Sequence, residues 1–106
     1  MTARDAAGGP AVTRNDAESR YELHDGGTLL AVLDYRDNGT AVALTRAFTI
    51  PVHRGHGHAT TLTAGAVEDI EARGGAAGGR QIVPLCWYVA QWLEEHPEKA
   101  HLVAPR

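Results

Sequence analysis

Residues 50–62 read IPVHRGHGHATTL, a segment in which glycines and histidines lie between a predicted strand and a predicted helix. Pro51 ends a preceding strand, because proline cannot donate a hydrogen bond to a strand ladder. Gly55 and Gly57 allow the backbone to turn its N–H groups inward and allow a ligand to approach closely. The helix that follows contributes the positive end of its dipole, so the segment predicts a loop that holds a phosphate group.

The side chains of this loop leave more than one interpretation open. Arg54 adds a permanent charge that suits paired phosphate oxygens. The glycines could instead form a turn that only caps the helix. A third interpretation is a metal site, since His53, His56 and His58 lie within six residues and imidazole is a common zinc ligand. Flexible glycines separate the histidines and no Asp, Glu or Cys lies adjacent, which argues against a metal.

Three strands are predicted before the loop. RYELH (20–24) alternates like a short strand and is followed by a turn at 25–27. TLLAVLDY (28–35) is nearly all apolar, as expected for a strand covered on both faces. Asn38-Gly39 is a strong hairpin signal, so TAVALTRAFTI (40–50) must pair antiparallel with TLLAVLDY.

The third strand alternates between bulky and small residues. The bulky residues share one parity, interrupted by Arg46, and the small residues share the other. This alternation predicts one large packed face and one small face that a ligand can approach. The bulky set is Val42, Leu44, Phe48 and Ile50, and the small set is Ala41, Ala43, Thr45, Ala47 and Thr49.

A helix, a strand and a second helix are predicted after the loop. ATTLTAGAVEDIEARGG (59–75) places apolar residues at helical spacing, and the run IVPLC within RQIVPLC (80–86) reads as a short buried strand. Because a helix intervenes, this strand is expected to pair in parallel. WYVAQWLEEH (87–96) predicts the last helix, and residues 1–17 are expected to form a disordered tail. The fold class is α+β, an α/β sandwich with one mixed, mostly antiparallel sheet in the order β-β-β-α-β-α.

Length and composition exclude several classes of protein. The 106 residues fit one domain, expected at 18–104, and the longest apolar run, Leu29–Leu33, is too short to span a membrane. With a formal charge of −3 the chain has no overall positive field to hold a nucleic acid. A single cysteine, Cys86, excludes an intramolecular disulfide and a multi-cysteine zinc site. No secretion signal is evident at the amino end, so a cytoplasmic location is expected.

The order of elements and several motifs resemble the GNAT superfamily of N-acetyltransferases, and more closely its small YjdJ-like branch. The resemblance covers about residues 18–104. Its carriers are LDYRDNGTAVALT (33–45), IPVHRGHGHATTL, IVPLCWYVAQWLEEHPE (82–98) and AHLV (100–103). The loop motif of that superfamily, Q/R-x-x-G-x-G/A, corresponds here to His53 or Arg54 at its start and then to Gly55, Gly57 and Ala59.

The resemblance implies that acetyl-CoA is the co-substrate. It would lie where the strand ending at Ile50 and the strand ending at Leu85 diverge. Backbone groups of Phe48, Thr49 and Ile50 would pair with the pantetheine arm. The pyrophosphate would be held by N–H groups of the loop, that is, of Val52, His53, Arg54, Gly55, His56, Gly57, His58 and Ala59.

The same resemblance suggests catalytic residues. Tyr88, near the start of the last helix, is the family-type donor of a proton to the departing thiolate. Cys86 lies nearby in sequence and could donate that proton or become acylated, although both it and Tyr88 could equally be packed residues. Relatives often carry a glutamate base where this chain has Phe48, so the base would be His53, Asp34 or an ordered water.

Together these inferences predict an N-acetyltransferase that moves an acetyl group from acetyl-CoA directly to an amine, on a small molecule or a protein. The alternative is a non-catalytic acyl-CoA binding or sensing module, favoured by the missing carboxylate. We expect no bound metal and no nucleic-acid or membrane partner, and a monomer or weak homodimer.

Overall fold

The computed structural model describes residues 10–73 and 81–104. One five-stranded sheet has the spatial order β1-β2-β3-β4-β5, with β1 to β4 antiparallel and β5 parallel to β4. This arrangement confirms the predicted mixed sheet. The elements are β1 Ala11–Asn15, β2 Arg20–Asp25, β3 Thr28–Asp37, β4 Ala41–Thr49, a 3-10 turn Pro51–His53, α1 His58–Ala72, β5 Gln81–Pro84, α2 Trp87–Glu94 and a 3-10 segment Pro97–Leu102.

The first strand differs from the expected order of elements. Ala11–Asn15 form an edge strand paired with β2, whereas a disordered tail was predicted through residue 17. Residues 1–9 lie outside the described residues. The strand is held by Val12, which packs against the core, and by Arg14, whose guanidinium lies 4.7 Å from the Tyr35 ring and 3.3 Å from an Asp37 carboxylate oxygen. Arg14 is a largely buried charged residue at a position on the apolar face. The sequence of this strand therefore lacks the alternation of apolar and polar residues that predicts a strand.

Both helices pack on the same face of the sheet. The core is one cluster that joins side chains of α1 and α2 to one face of the strands. In this cluster Leu62, Ala66, Val67 and Ile70 come from α1, Val89, Trp92 and Leu93 from α2, and Tyr21, Leu23, Leu33, Tyr35, Val42, Leu44 and Ile82 from the sheet. This covered face fixes the two helices beside each other, and so sets where their first turns lie relative to β4.

Helix α1 passes close to β1 at a glycine. A Cβ atom built on Gly65 would lie 2.6 Å from Cγ2 of Val12, a distance that real Cβ atoms do not show. The absence of a side chain at this position therefore permits the close approach of the helix to the edge strand.

The opposite side of the sheet, here called the uncovered face, has no helix packed on it in the part of the chain that the structure describes. Residues that pair across strands share a face, and they form two rows here. One row is Asn15, Arg20, Asp34 and Arg46, and the other is Thr13, Glu22, Val32 and Phe48. Both rows end on the second half of β4.

Glu22 is the buried carboxylate of the uncovered face. It hydrogen-bonds His24 at 2.8 Å and accepts hydrogen bonds from Asn15 at 2.9 Å and Arg20 at 2.7 Å. These bonds, with that to His24 the strongest influence, lower the pKa of Glu22 to about 2 although burial opposes the shift. The carboxylate is therefore charged, and it is fully engaged by its neighbours.

A β-bulge divides β4 and corrects the predicted pattern of faces. Tyr35 pairs with Leu44, but Asp34 pairs with Arg46, so Thr45 is an extra residue. An extra residue reverses the side on which later side chains fall. Leu44 and Ala47 both face the covered side, and Phe48 lies on the uncovered side. The prediction that Val42, Leu44 and Phe48 share one face is wrong for this reason.

Two smaller points complete the fold. The hairpin predicted at Asn38-Gly39 is confirmed, with a three-residue connection in which Gly39 alone has a positive φ, of 94°. Neither α1 nor α2 combines the length and apolar character that crossing a bilayer requires, and no other helix of the described residues does.

Candidate functional site

Strands β4 and β5 part at Leu44. Leu44 and Pro84 are the last parallel pair, and the carbonyl oxygen of Leu44 accepts hydrogen bonds from the N–H groups of both Leu85 (3.1 Å) and Cys86 (3.0 Å). Beyond this point β4 continues to Thr49, while the chain after β5 turns into α2. We call Thr45–Thr49 the open half of β4, because β5 does not pair with it.

A groove of about 430 Å³ lies beside the open half. Its lining brings together three parts of the chain that are distant in sequence: β4, the loop before α1, and the start of α2. The lining residues are Ala47, Phe48, Thr49, Arg54, Ala59, Cys86, Trp87 and Tyr88. Ala47 and Phe48 come from opposite faces of the sheet, so the groove passes through the gap between the strands.

The loop before α1 presents unpaired N–H groups next to this groove. Gly55 and Gly57 adopt φ values of 87° and 74°, and a Cβ at either position would meet nothing within 4 Å. Glycine is therefore required here by backbone conformation, and the space above it is open. Within the described chain, no backbone acceptor meets the N–H groups of residues 55–60. No side chain caps α1 and no acidic residue lies in its first turn.

Two arginines flank the aromatic ring of the groove. The guanidinium carbon of Arg54 lies 5.8 Å from the centre of the Phe48 ring, and that of Arg46 lies 5.2 Å from it. Arg54 also donates a hydrogen bond from Nε to the carbonyl oxygen of Thr49, at 3.3 Å. This bond holds the arginine beside the end of the open half, where its charge adds to the field of the N–H groups.

Tyr88 and Cys86 both line the groove, as expected from their positions in sequence. The Tyr88 hydroxyl lies 2.5 Å from Oγ1 of Thr60 in the first turn of α1. Cys86 is the residue immediately before α2 and is a free thiol, 9% exposed. The two candidate proton donors therefore lie on the same side of the groove, across from β4.

The structure thus has a pair of parallel strands that part, with a glycine loop and an uncapped helix start beside the point where they part. Comparison of the sequence with family models gives a match over the same region. The model of the GCN5-related N-acetyltransferase family matches residues 20–102. The chain belongs to this family. A search of curated proteins found no match. The acetyltransferase match begins at β2, so the edge strand β1 lies outside it.

Several residues expected at the acetyltransferase site lie outside the groove or are engaged elsewhere. The N–H group of Ile50 donates to the carbonyl oxygen of Leu30 at 2.9 Å, and the N–H group of His53 donates to Ile50 at 2.8 Å. Val52 is 79% exposed. Backbone donors for a ligand are therefore offered by the loop after Arg54 rather than by Ile50, His53 and Arg54, whose N–H groups are bonded within the chain.

The three loop histidines lie on a neighbouring surface. His53, His56 and His58 line a second depression together with Asp25, and the ring centres of His56 and His58 are 5.7 Å apart. Among residues 10–73 and 81–104, no three His, Cys, Asp or Glu side chains come together in a way that could hold a metal ion. The candidate base His53 therefore lines the second depression and is not among the residues that line the groove, and Asp34 lies on the uncovered face near Arg46.

Three features of the groove are not evident from the sequence. Ala47 was expected in the small set of its strand, and the bulge at Thr45, which no sequence signature marks, places it on the covered face. Trp87, in the predicted last helix, lines the groove with 74% of its surface exposed. Thr60 was noted only as part of the helix, and its contact with Tyr88 joins residues far apart in sequence.

Proposed function

We propose that this chain transfers an acetyl group from acetyl-CoA to an amine in the groove beside the open half of β4. The observation that supports this most directly is the continuity between the groove and the glycine loop. Arg54 and Ala59 line the groove, and Ala59 belongs to residues 55–60, whose N–H groups meet no backbone acceptor in the described part of the chain. A long ligand with an anionic end and an acyl end fits this arrangement.

The loop would hold the pyrophosphate. A Cβ built on Gly55 or Gly57 meets nothing within 4 Å, the N–H groups of residues 55–60 meet no backbone acceptor among the described residues, and the first turn of α1 carries no competing carboxylate. Helix starts bind phosphates because unpaired N–H groups and the helix dipole act together. The open half of β4, freed from β5, would offer backbone groups to the pantetheine arm.

The reaction requires one bond to form and one to break. The amine nitrogen attacks the thioester carbonyl carbon, the new C–N bond forms, and the C–S bond breaks to release the thiolate. One proton leaves the nitrogen and one proton reaches the sulfur. Backbone N–H groups along the open half would stabilise the oxyanion of the tetrahedral intermediate.

Tyr88 would supply the proton to the sulfur. Tyr88 lines the groove and its hydroxyl lies 2.5 Å from Oγ1 of Thr60, a contact that would hold the hydroxyl near the departing thiolate. Cys86 is the second candidate for this role. Among the described residues, no carboxylate and no imidazole line the groove, so the amine would lose its proton to water. We therefore expect the rate to rise with pH until the amine is neutral.

The absent carboxylate also favours a second function, a non-catalytic acyl-CoA binding module. Phe48 stands where relatives often have a glutamate, and no acidic side chain lines the groove among the described residues. A binding module would keep the loop and the groove and would lack turnover. Binding and turnover must therefore be measured separately.

The first test is calorimetric titration of acetyl-CoA into the wild type and into Gly57→Glu. The glutamate places a negative charge and bulk at the start of α1, and we expect affinity to fall about a hundredfold or more. The matched control is Gly39→Glu in the β3–β4 hairpin. Gly39 has a similar φ of 94° and also has nothing within 4 Å of a built Cβ.

The control separates backbone strain from the loss of the site. Both glutamates are strained to a similar degree, so Gly39→Glu should lose stability and keep its affinity. Failure of the folded wild type to bind acetyl-CoA would refute both functions. If binding is confirmed, release of CoA with a panel of amines distinguishes the transferase from the binding module.

A further inference from the structure

Two arginines lie beside the groove where Phe48 lines it on the uncovered face. Arg46 extends from the open half of β4, and 64% of its side chain is exposed. Its guanidinium lies over Phe48, which lines the groove, and Arg54 approaches the same ring from the loop. Two permanent cations are thus placed around one groove residue, in a chain whose formal net charge is −3.

The carboxylates of this face leave much of that charge available. Asp34 lies 3.9 Å from Arg46, and both side chains are substantially exposed, at 35% and 64%. An exposed ion pair at this distance contributes little energy, so Arg46 can exchange Asp34 for another anion at small cost. Glu22, in the adjacent row, is already bonded by Asn15, Arg20 and His24.

From this arrangement we propose that Arg46 determines acceptor specificity, and that the acceptor is an amine which also carries a carboxylate. Arg46 binds the carboxylate at the mouth of the groove while the amine faces the thioester. A guanidinium suits this role because its planar N–H groups match the two oxygens of a carboxylate. This inference rests on the proposed acetyl transfer to an amine.

The arrangement also disfavours other amines. A second ammonium group, as in a diamine, would approach the guanidinium groups of Arg46 and Arg54 without a groove carboxylate to offset them. The same surface therefore attracts amino acids and peptides with nearby acidic groups, and repels polycationic acceptors.

The test compares paired acceptors that differ only in the anionic group. Glycine is compared with glycinamide, and β-alanine with β-alaninamide, by the ratio of their kcat/KM values. Comparing the same pair in each variant cancels the intrinsic difference in amine reactivity. In Arg46→Gln we expect the carboxylate-to-amide ratio to fall about tenfold or more, because a charge-assisted pair is lost.

Arg36→Gln is the matched control. Arg36 is exposed on β3, pairs in register with Ala43 in the first half of β4, and does not line the groove. It removes the same charge from the chain and should leave the ratio unchanged. An unchanged ratio in Arg46→Gln overturns the proposal. An equal fall in both variants also overturns it, because the effect would then come from the net charge of the chain and not from the position of Arg46.

A binding measurement keeps this inference separate from the proposed function. If no acceptor is acetylated, the transferase function fails, and N-acetylglycine and N-acetylglycinamide are titrated while the arginine Nε–H signals are followed by NMR. Shifts caused by the acid alone, and lost in Arg46→Gln, support the carboxylate site. Equal responses to the acid and the amide, or no response to either, overturn it.

Discussion

The two halves of β4 have the same partner on one side and different surroundings on the other. Val42 and Leu44 lie between β3 and β5 and are fully buried. Arg46 and Phe48 keep their pairing with β3, but β5 has turned away. A single extra residue, Thr45, marks the boundary. The comparison shows that the groove forms where β4, beyond its bulge, keeps its pairing with β3 and loses β5 as a neighbour.

The largest difference between the halves should be in stability. Leu44→Ala removes a fully buried side chain, and we expect the free energy of unfolding to fall by about 2–5 kcal/mol. Phe48→Ala removes a larger side chain from the open half, where burial is only partial, and should cost about 1 kcal/mol. Urea denaturation of both variants measures the contrast. Equal losses would mean that the open half is as much a part of the core as the first.

The next largest effect should be on kcat, because we assign proton donation to Tyr88 of α2, which lies across the groove from the open half. Tyr88→Phe should lower kcat about a hundredfold while KM for acetyl-CoA changes little, because a proton donor is lost. Thr60→Val removes the partner of the Tyr88 hydroxyl and keeps the hydroxyl itself, so it should lower kcat less than Tyr88→Phe does. A normal kcat in Tyr88→Phe, together with a slow Cys86→Ser, would transfer the role to Cys86.

A smaller effect should be seen in how the stability contributed by the uncovered face depends on pH. The pKa of Glu22 lies near 2 in the folded chain, below its ordinary value of 4.5, so its charged form stabilises the fold above pH 4.5. That contribution should decline as the pH falls from 4.5 toward 2. Glu22→Gln should therefore cost about 2 kcal/mol at pH 7 and less at pH 3.

The pH experiment has an internal control in the same region. Glu18 is exposed in the turn between β1 and β2, and Glu18→Gln should leave the stability nearly unchanged at both pH values. If Glu22→Gln loses the same stability at pH 3 as at pH 7, the hydrogen bonds of the neutral side chain, and not the charge, hold this face.

The smallest effect expected is that of Arg46 on stability. Its pair with Asp34 is exposed and 3.9 Å long, so Arg46→Gln should change the free energy of unfolding by less than about 0.5 kcal/mol. A loss above about 1 kcal/mol in urea denaturation would indicate that Arg46 serves the fold, and would weaken its assignment to acceptor binding.

Much of the fold was predictable because its boundaries are marked by local chemistry. Asn38-Gly39 forms a turn and Pro51 ends a strand because of their own backbone properties. Gly55 and Gly57 likewise indicate a loop with positive φ angles. For the same reason, the loop at residues 52–59 could be proposed as a site from its own residues, whereas Cys86 and Tyr88 were proposed from the family resemblance.

The rest depended on contacts between distant residues. The bulge at Thr45 is defined by the register of β3 against β4, and no residue type at position 45 requires it. Strand β1 depends on Arg14, whose partners Tyr21, Asp37 and Asp69 come from three other elements. A pattern of apolar residues cannot show that a guanidinium lies on the packed face.

The carbonyl oxygen of Leu44 accepts two N–H groups where the strands part, and it belongs to the backbone. The angle between the two strands is therefore insulated from most substitutions in the groove. Two lining residues, Ala47 and Ala59, end in single methyl groups, so enlarging or removing these methyls would change the space for an acyl chain without moving the strands. Under the proposed function, selectivity for acyl length could therefore change without altering the backbone contacts at Leu44.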